Sequence, residues 1–435
     1  MLINRPARIA ILLGLSLLAG ACSGPVSPTP SATSSAGGSP GEPRASASLR
    51  LPTSAPSNPS AGPGGTTVPS TPAPSASLAE TCAMHTLDQL NEGQRVGQLF
   101  LLGLANDKLG PAEIAAIETD HFGSVWFTAT SHAGTGAIRL VADAVQALKS
   151  ASPVGPGTAG IGFFVAANQE GGLVQALQGP GFTVIPSALA QGALSVGKVE
   201  SRSAAWGSQL RAAGVNLNFA PVTDVVPATT AAQNQPIGVL QREYGHTPGT
   251  VGPHATAFME GMTQAGIMTV AKHFPGLGRV VGNTDFSANV VDTVTSVGDP
   301  YLGSFQDVIS AGVPVVMVAL ATYTRIDPAH LAAFSSVVIQ ELLRGQLGFN
   351  GVVMSDDLGA TAAVSGISPA TRGLDFIAAG GDMIISKTIA PAEAMAVAIT
   401  ARASTDPAFR NLVNTAALRA LQLKATAHLL PCGSP

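Results

Sequence analysis

The side chains best suited to chemistry in this chain stand where apolar runs end. Lys272 and His273 close a run begun by Ile267, Met268 and Val270, and Pro275 then breaks it into a loop holding Gly276, Gly278 and Gly282. A cation and an imidazole at the end of a core strand, followed by a glycine-rich loop free to swing, read as a site. Asn168, Gln169 and Glu170 close the third apolar run of the chain, the fourth leads to Asp224, and Ser355, Asp356 and Asp357 close the seventh; Arg242 lies in the long loop after the fourth. Carboxylates, cations and an amide converging on one mouth suit a polyhydroxyl ligand, because each hydroxyl both donates and accepts. A carboxylate held between cations stays ionised and can act as a nucleophile. Structural roles compete at each position. Lys272 can run its stem along apolar surface to water, His273 can be a hydrogen-bonded core residue, and Ser-Asp-Asp before a helical run is a good N-cap.

Those positions acquire meaning only if the elements behind them share one architecture. Apolar, strand-like runs cover residues 96–104, 123–128, 161–167, 215–222, 267–273, 314–320, 351–354 and 382–385. Helical patterns follow them at 111–120, 136–150, 199–213, 254–265, 301–310, 335–347, 369–379 and 391–401. Eight such repeats predict an α/β fold of the (β/α)8, TIM-barrel type, and unalternated apolar runs fit strands buried on both faces. A doubly wound open sheet is the competitor, but no GxGxxG follows any strand to support a dinucleotide fold. In a barrel, the residues singled out above all fall at the C-terminal mouth.

Of the 435 residues, 46% are hydrophobic and only 11% charged, which is ample core material. The formal net charge of −4 argues against non-specific nucleic-acid binding, which needs a basic stripe. At the N-terminus Arg5 and Arg8 precede the apolar run 9–18, which leads into Ala19-Gly20-Ala21-Cys22. This predicts a signal peptide over 1–21, too short to span a bilayer. Residues 22–80 are dominated by Ser, Pro, Ala, Gly and Thr, a composition that cannot bury enough apolar surface to fold. They form a tether with a reach of roughly 40–50 Å as a random coil. The barrel is expected over 81–435. Cys82 and Cys432 stand at its two ends, and since the first and last elements of a closed barrel are neighbours, these thiols should meet as a disulfide in an oxidising compartment.

The motifs themselves carry a resemblance. Asn168-Gln-Glu-Gly-Gly172, Asn218-Phe-Ala-Pro-Val222, Lys272-His-Phe-Pro-Gly276 and Ser355-Asp-Asp-Leu358 are similar, in order and spacing, to the motif set of glycoside hydrolase family 3, nearest its single-barrel β-N-acetylglucosaminidases. The N-terminal Cys22 likewise resembles a lipobox cysteine, which implies lipid attachment there and an extracytoplasmic enzyme anchored to a bacterial cell membrane. The resemblance implies a retaining glycosidase with Asp356 as nucleophile. Lys272, His273 and Arg242 match residues that bind the sugar whose bond is cleaved. It implies removal of terminal β-N-acetylglucosamine, from peptidoglycan fragments, with a carbohydrate as partner and the membrane touched only through the lipid. Two carboxyl groups suffice for such chemistry, so no metal or organic cofactor is expected.

The chain departs from that pattern in three places. Asn168 stands where the family has Asp, keeping the hydrogen-bonding geometry without the charge, and Ala176 stands where it has Arg. The family's acid/base histidine, and the aspartate two residues before it, fall on Asp285 and Asn283. Asp285 is then either the general acid, its pKa raised by burial or by Asp356, or a turn residue of Asn-Thr-Asp. Two alternatives follow from that: a carbohydrate-binding lipoprotein without catalysis, or a family 3 hydrolase with another sugar preference.

Overall fold

In the computed structural model, residues 77–149 and 158–432 are described. The expected signal peptide, Cys22 and all but the last few residues of the expected tether lie outside them. The helix Leu78–Gln89 already begins ahead of residue 81, because Ser77 caps it and Glu80 returns the bond in a capping box.

Eight parallel strands close a barrel in sequence order. They are β1 (Phe100–Leu104), β2 (Ser124–Phe127), β3 (Phe164–Ala167), β4 (Leu217–Asn218), β5 (Met268–Phe274), β6 (Val315–Val318), β7 (Val352–Asp357) and β8 (Met383–Ser386). Closure is made by β1 against β8, with Phe100 opposite Ile384. The unalternated runs are buried on both faces. Leu101, Phe164, Leu217, Val270, Val315, Val352, Met354 and Met383 fill the interior, and Ala420 and Leu423 of the helix Pro407–Thr426 close its base. The opposite faces pack under the surrounding helices.

Three strand boundaries differ from expectation for local reasons. Val96 belongs to the helix Glu92–Gly97, which Asn91 and Gln94 cap reciprocally, so β1 begins later. The 215–222 run pairs regularly only at Leu217 and Asn218, since Pro221 has no N–H to donate. β7 runs on through Asp357, so Asp356 is a strand residue and not a helix N-cap. The ladder slips between Ala271 and Phe274 at the end of β5, and between Met354 and Asp357 at the end of β7. Such irregularities bend a strand and re-aim its side chains. Both fall where the polar residues stand.

Cys82 and Cys432 are joined, with Cα atoms 6.0 Å apart, across 350 residues of chain. Chain entropy makes so long a closure worth on the order of 5 kcal/mol against the unfolded chain. It ties the N-terminal helix to the tail of the last one beneath the barrel.

Candidate active site

A cavity of about 470 Å³ opens at the C-terminal mouth, and Asn168, Arg242, Lys272, His273, Asp285 and Asp356 all line it. The structure therefore brings together every ligand-facing residue proposed from the sequence. Glu170 and Asp224, counted with them at the ends of β3 and β4, do not line it. Glu170 lies behind Arg242 and Lys272 and holds them, and Asp224 does the same for His273.

Glu170 accepts two bonds from Arg242, from Nε at 2.8 Å and from Nη2 at 2.7 Å, and pairs with Lys272 Nζ at 2.7 Å. Lys272 Nζ also donates to Asn168 Oδ1 at 2.7 Å. Its ammonium is therefore buried in a polar network, and the snorkelling alternative is excluded. Burial alone would push the Glu170 carboxyl up, but Arg242 and Lys272 together outweigh it and hold the group at about 2. Burial lowers the pKa of Lys272, with Glu170 opposing. Two cations against one carboxylate leave a single positive charge under the ligand, so an electronegative ring of hydroxyls meets fixed donors.

His273 is fixed from behind by Asp224. Oδ2 of Asp224 meets ring Nδ1 at 2.8 Å, and Oδ1 accepts the His273 backbone N–H at 3.1 Å and that of Leu277 at 2.7 Å. A carboxylate only accepts, so Nδ1 carries the proton and Nε2 is left for a ligand.

On the far side of the mouth Asp356 stands on β7, its Oδ1 accepting the backbone N–H of Asp357 at 2.8 Å. Asp357 does the structural work at this strand end. Its carboxyl accepts the N–H groups of Gly359, Ala360 and Lys387, and burial pushes it up to about 6. Asp356 is thereby left free to face the cavity.

Asp285 arrives on the loop after β5, and that loop is not the swinging one the glycines suggest. Asn234 Nδ2 donates to the carbonyls of Leu277 and Val280, each at 2.7 Å, and Tyr323 donates to the carbonyl of Gly276 at 2.9 Å. A Cβ at Gly278 would lie 1.9 Å from the Val225 carbonyl oxygen, so this glycine permits close packing. Further along, Ala363 and Ala362 donate to the carbonyls of Thr284 and Asp285 at 3.1 and 3.2 Å. Asn283 does make a turn, accepting the Asp285 N–H at 2.9 Å. The turn reading of this segment thus applies to Asn283, while no bond to the Asp285 carboxyl itself occurs among the described residues. Solvent still reaches Asp285 through the mouth. Crowding by the surrounding protein, and after it the charge of Asp356, raise its pKa, against the pull of Arg242, His273 and Lys272. A carboxyl biased towards its protonated form, beside a second carboxyl, is the arrangement of a general acid and its partner.

Several lining residues escape the sequence patterns. Trp126, Phe219, Met317 and Ile385 make an apolar floor, and Leu240, Phe286 and Lys387 stand at the rim. The floor residues read simply as core. Lys387 follows β8 directly, and the end-of-strand rule reaches it once that strand is extended to Ser386. Among the described residues no cluster of three or more His, Cys, Asp or Glu side chains is placed to hold a metal ion.

A TIM-type barrel whose mouth pairs two carboxyl groups across a bed of cations defines the class of the glycoside hydrolases. Residues 92–416 match the model of the glycosyl hydrolase family 3 N terminal domain, and the chain belongs to that family. A β-hexosaminidase of Xylella fastidiosa (strain M12) is 33% identical over 277 residues, covering 62% of this chain and 77% of that one. A β-hexosaminidase of Stenotrophomonas maltophilia (strain R551-3) is 29% identical over 66% of this chain and 82% of its own. Among solved structures, the β-N-acetylhexosaminidase of Beutenbergia cavernae DSM 12333 superposes with a TM-score of 0.74 at 44% identity, over 77% of this chain and 98% of that one.

Proposed function

We propose that this protein is a retaining β-N-acetylhexosaminidase that removes terminal β-linked N-acetylglucosamine. The observation that carries the reading is the pairing of Asp356 on β7 with an Asp285 carboxyl of raised pKa in one cavity that Lys272, Arg242 and His273 also line. The cations and the His273 Nε2 hold the hydroxyls of the terminal sugar. Asp356 attacks the anomeric carbon as Asp285 gives its proton to the departing oxygen, so the glycosidic bond breaks as an ester bond forms. In that ester Asp356 has lost its charge, its repulsion of Asp285 is gone, and the Asp285 pKa falls. The Asp285 carboxylate then takes a proton from water, which attacks the same carbon and releases Asp356. Both carboxyl groups end as they began. Assay of chromogenic β-N-acetylglucosaminide and β-glucoside side by side tests the reading: preferred turnover of the first supports it, and turnover of neither defeats it in favour of a sugar-binding protein.

The cellular setting follows from the N-terminal sequence. Arg5, Arg8, the apolar run 9–18 and Cys22 support export and lipidation at Cys22, with the barrel held on a tether outside the cytoplasm. Amino-sugar glycosides released from the cell wall are the substrates such a placement brings within reach. Incorporation of a fatty-acid analogue that is lost in Cys22→Ala supports this; equal labelling of both proteins counts against it.

A further inference from the structure

Phe286 is the largest side chain the molecule leaves to water at its active mouth: it is 82% exposed, yet it lines the catalytic cavity. Scattered exposed apolar residues are ordinary. Three observations set this one apart. It is the residue directly after Asp285. Its backbone is held, with Phe286 N–H donating to the Asn283 carbonyl at 3.0 Å and the two preceding carbonyls accepting from Ala362 and Ala363. Leu240, from the loop that also carries Arg242, lines the same cavity and is only partly buried.

We propose that Phe286, with Leu240, forms the subsite for the leaving group, an aromatic platform for the sugar ring on the departing side of the bond. The inference rests on the assignment of Asp285 as proton donor. The donor must face the glycosidic oxygen, because that is the atom it protonates. The sugar that is kept occupies the polar side, against Lys272, Arg242, His273 and Asp356. Whatever leaves must therefore extend past Asp285 towards the rim, and the next group along the chain there is the Phe286 ring. A pyranose has one face made mostly of C–H bonds, and such a face packs on an aromatic ring while its hydroxyls stay in water. The ligand class is a glycoside whose leaving group is itself a pyranose ring, in preference to a small or unringed alcohol.

The test compares two substrates of one enzyme. The β-1,4-linked disaccharide of N-acetylglucosamine places a ring on the platform; methyl β-N-acetylglucosaminide places none, and both leaving groups need the proton of Asp285. In Phe286→Ala the ratio of kcat/KM for disaccharide over methyl glycoside is expected to fall about tenfold, equivalent to about 1.4 kcal/mol. In Phe286→Trp that ratio is expected to stay within about twofold of the wild type, since an indole offers the same face. If both substrates slow together in Phe286→Ala, the ring only props Asp285 and the platform is refuted. An unchanged ratio refutes it as well, and so does a Phe286→Trp ratio that falls as far as that of Phe286→Ala. A wild-type protein that cleaves neither substrate overturns the hydrolase reading itself and the subsite with it, an outcome distinct from an active enzyme with an unchanged ratio.

Discussion

Asp224 grips His273 twice, with Oδ2 on ring Nδ1 at 2.8 Å and Oδ1 on the backbone N–H at 3.1 Å. The carboxylate is fully buried and does not line the cavity, so its effect on the reaction passes through the imidazole it orients and the loop it holds at the Leu277 N–H. Asp224→Ala is expected to lower kcat/KM on the order of 10²-fold, the scale of a misplaced binding group. Asp224→Asn should recover part of the loss, since its amide oxygen can still accept from Nδ1. Steady-state kinetics of both variants decide it, and equal activity of all three proteins would show that His273 needs no such support.

Asp356 should become covalently glycosylated during turnover. A 2-fluoro sugar with a good leaving group slows the second step and should label the peptide spanning 354–358, as mass spectrometry would show. Asp356→Asn should abolish labelling and retain the fold, because one oxygen is exchanged for a nitrogen. Label on Glu170 or Asp224 would contradict the geometry, in which both are tied up behind the cavity.

Asp285 should govern the alkaline limb of the pH profile. Its pKa is raised, the active form is the protonated acid, and so activity should fall as pH rises through that pKa. In Asp285→Ala that limb should vanish from kcat/KM, and poor leaving groups should slow by about 10²–10⁴-fold while activated aryl glycosides lose much less. Uniform loss with the limb unchanged would return Asp285 to a structural role.

Lys424 gives the fold an unusual pH response. It is buried at the barrel base, where Nζ donates to Gln98 Oε1 at 2.6 Å and to the Gly123 carbonyl at 2.7 Å. Burial lowers its pKa to about 7. A neutral amine keeps two N–H donors for those two acceptors, so deprotonation costs no hydrogen bond. Between about pH 7 and the unfolded value near 10.5 the unfolded chain binds the extra proton, and this group's penalty on stability is relieved as pH rises. Below pH 7 the penalty is full. Relative to wild type, Lys424→Met should therefore be favoured most at pH 6–7 and lose ground towards pH 10, by about 1.4 kcal/mol per unit of pKa shift. Parallel denaturant titrations across that range measure it, and a gap independent of pH would be the contrary result.

Much of this protein is legible one residue at a time. The count of eight apolar runs with helical patterns behind them predicts the barrel, because strands buried on both faces need no alternation and helices need their own period. The barrel then places Asn168, Lys272, His273 and Asp356 at one mouth, because every strand of a parallel barrel points its C-terminal end the same way. What the linear order cannot carry is which polar group faces inward and which stands behind it. Glu170 and Asp224 look as available as Asp356 in sequence, yet pairing with Arg242, Lys272 and His273 turns them into supports. Asp356 and Asp357 are adjacent and chemically alike. The slip in the β7 ladder and three N–H groups, one of them from Lys387 thirty residues away, assign one to the cavity and the other to the backbone. The glycines after His273 read as freedom and prove to be close packing, since the Val225 carbonyl and the Asn234 amide that press on that loop come from another turn of the barrel. Residue type and period determine the elements and the inventory of chemical groups. Contacts between residues far apart in the chain decide the charge, orientation and mobility of each group.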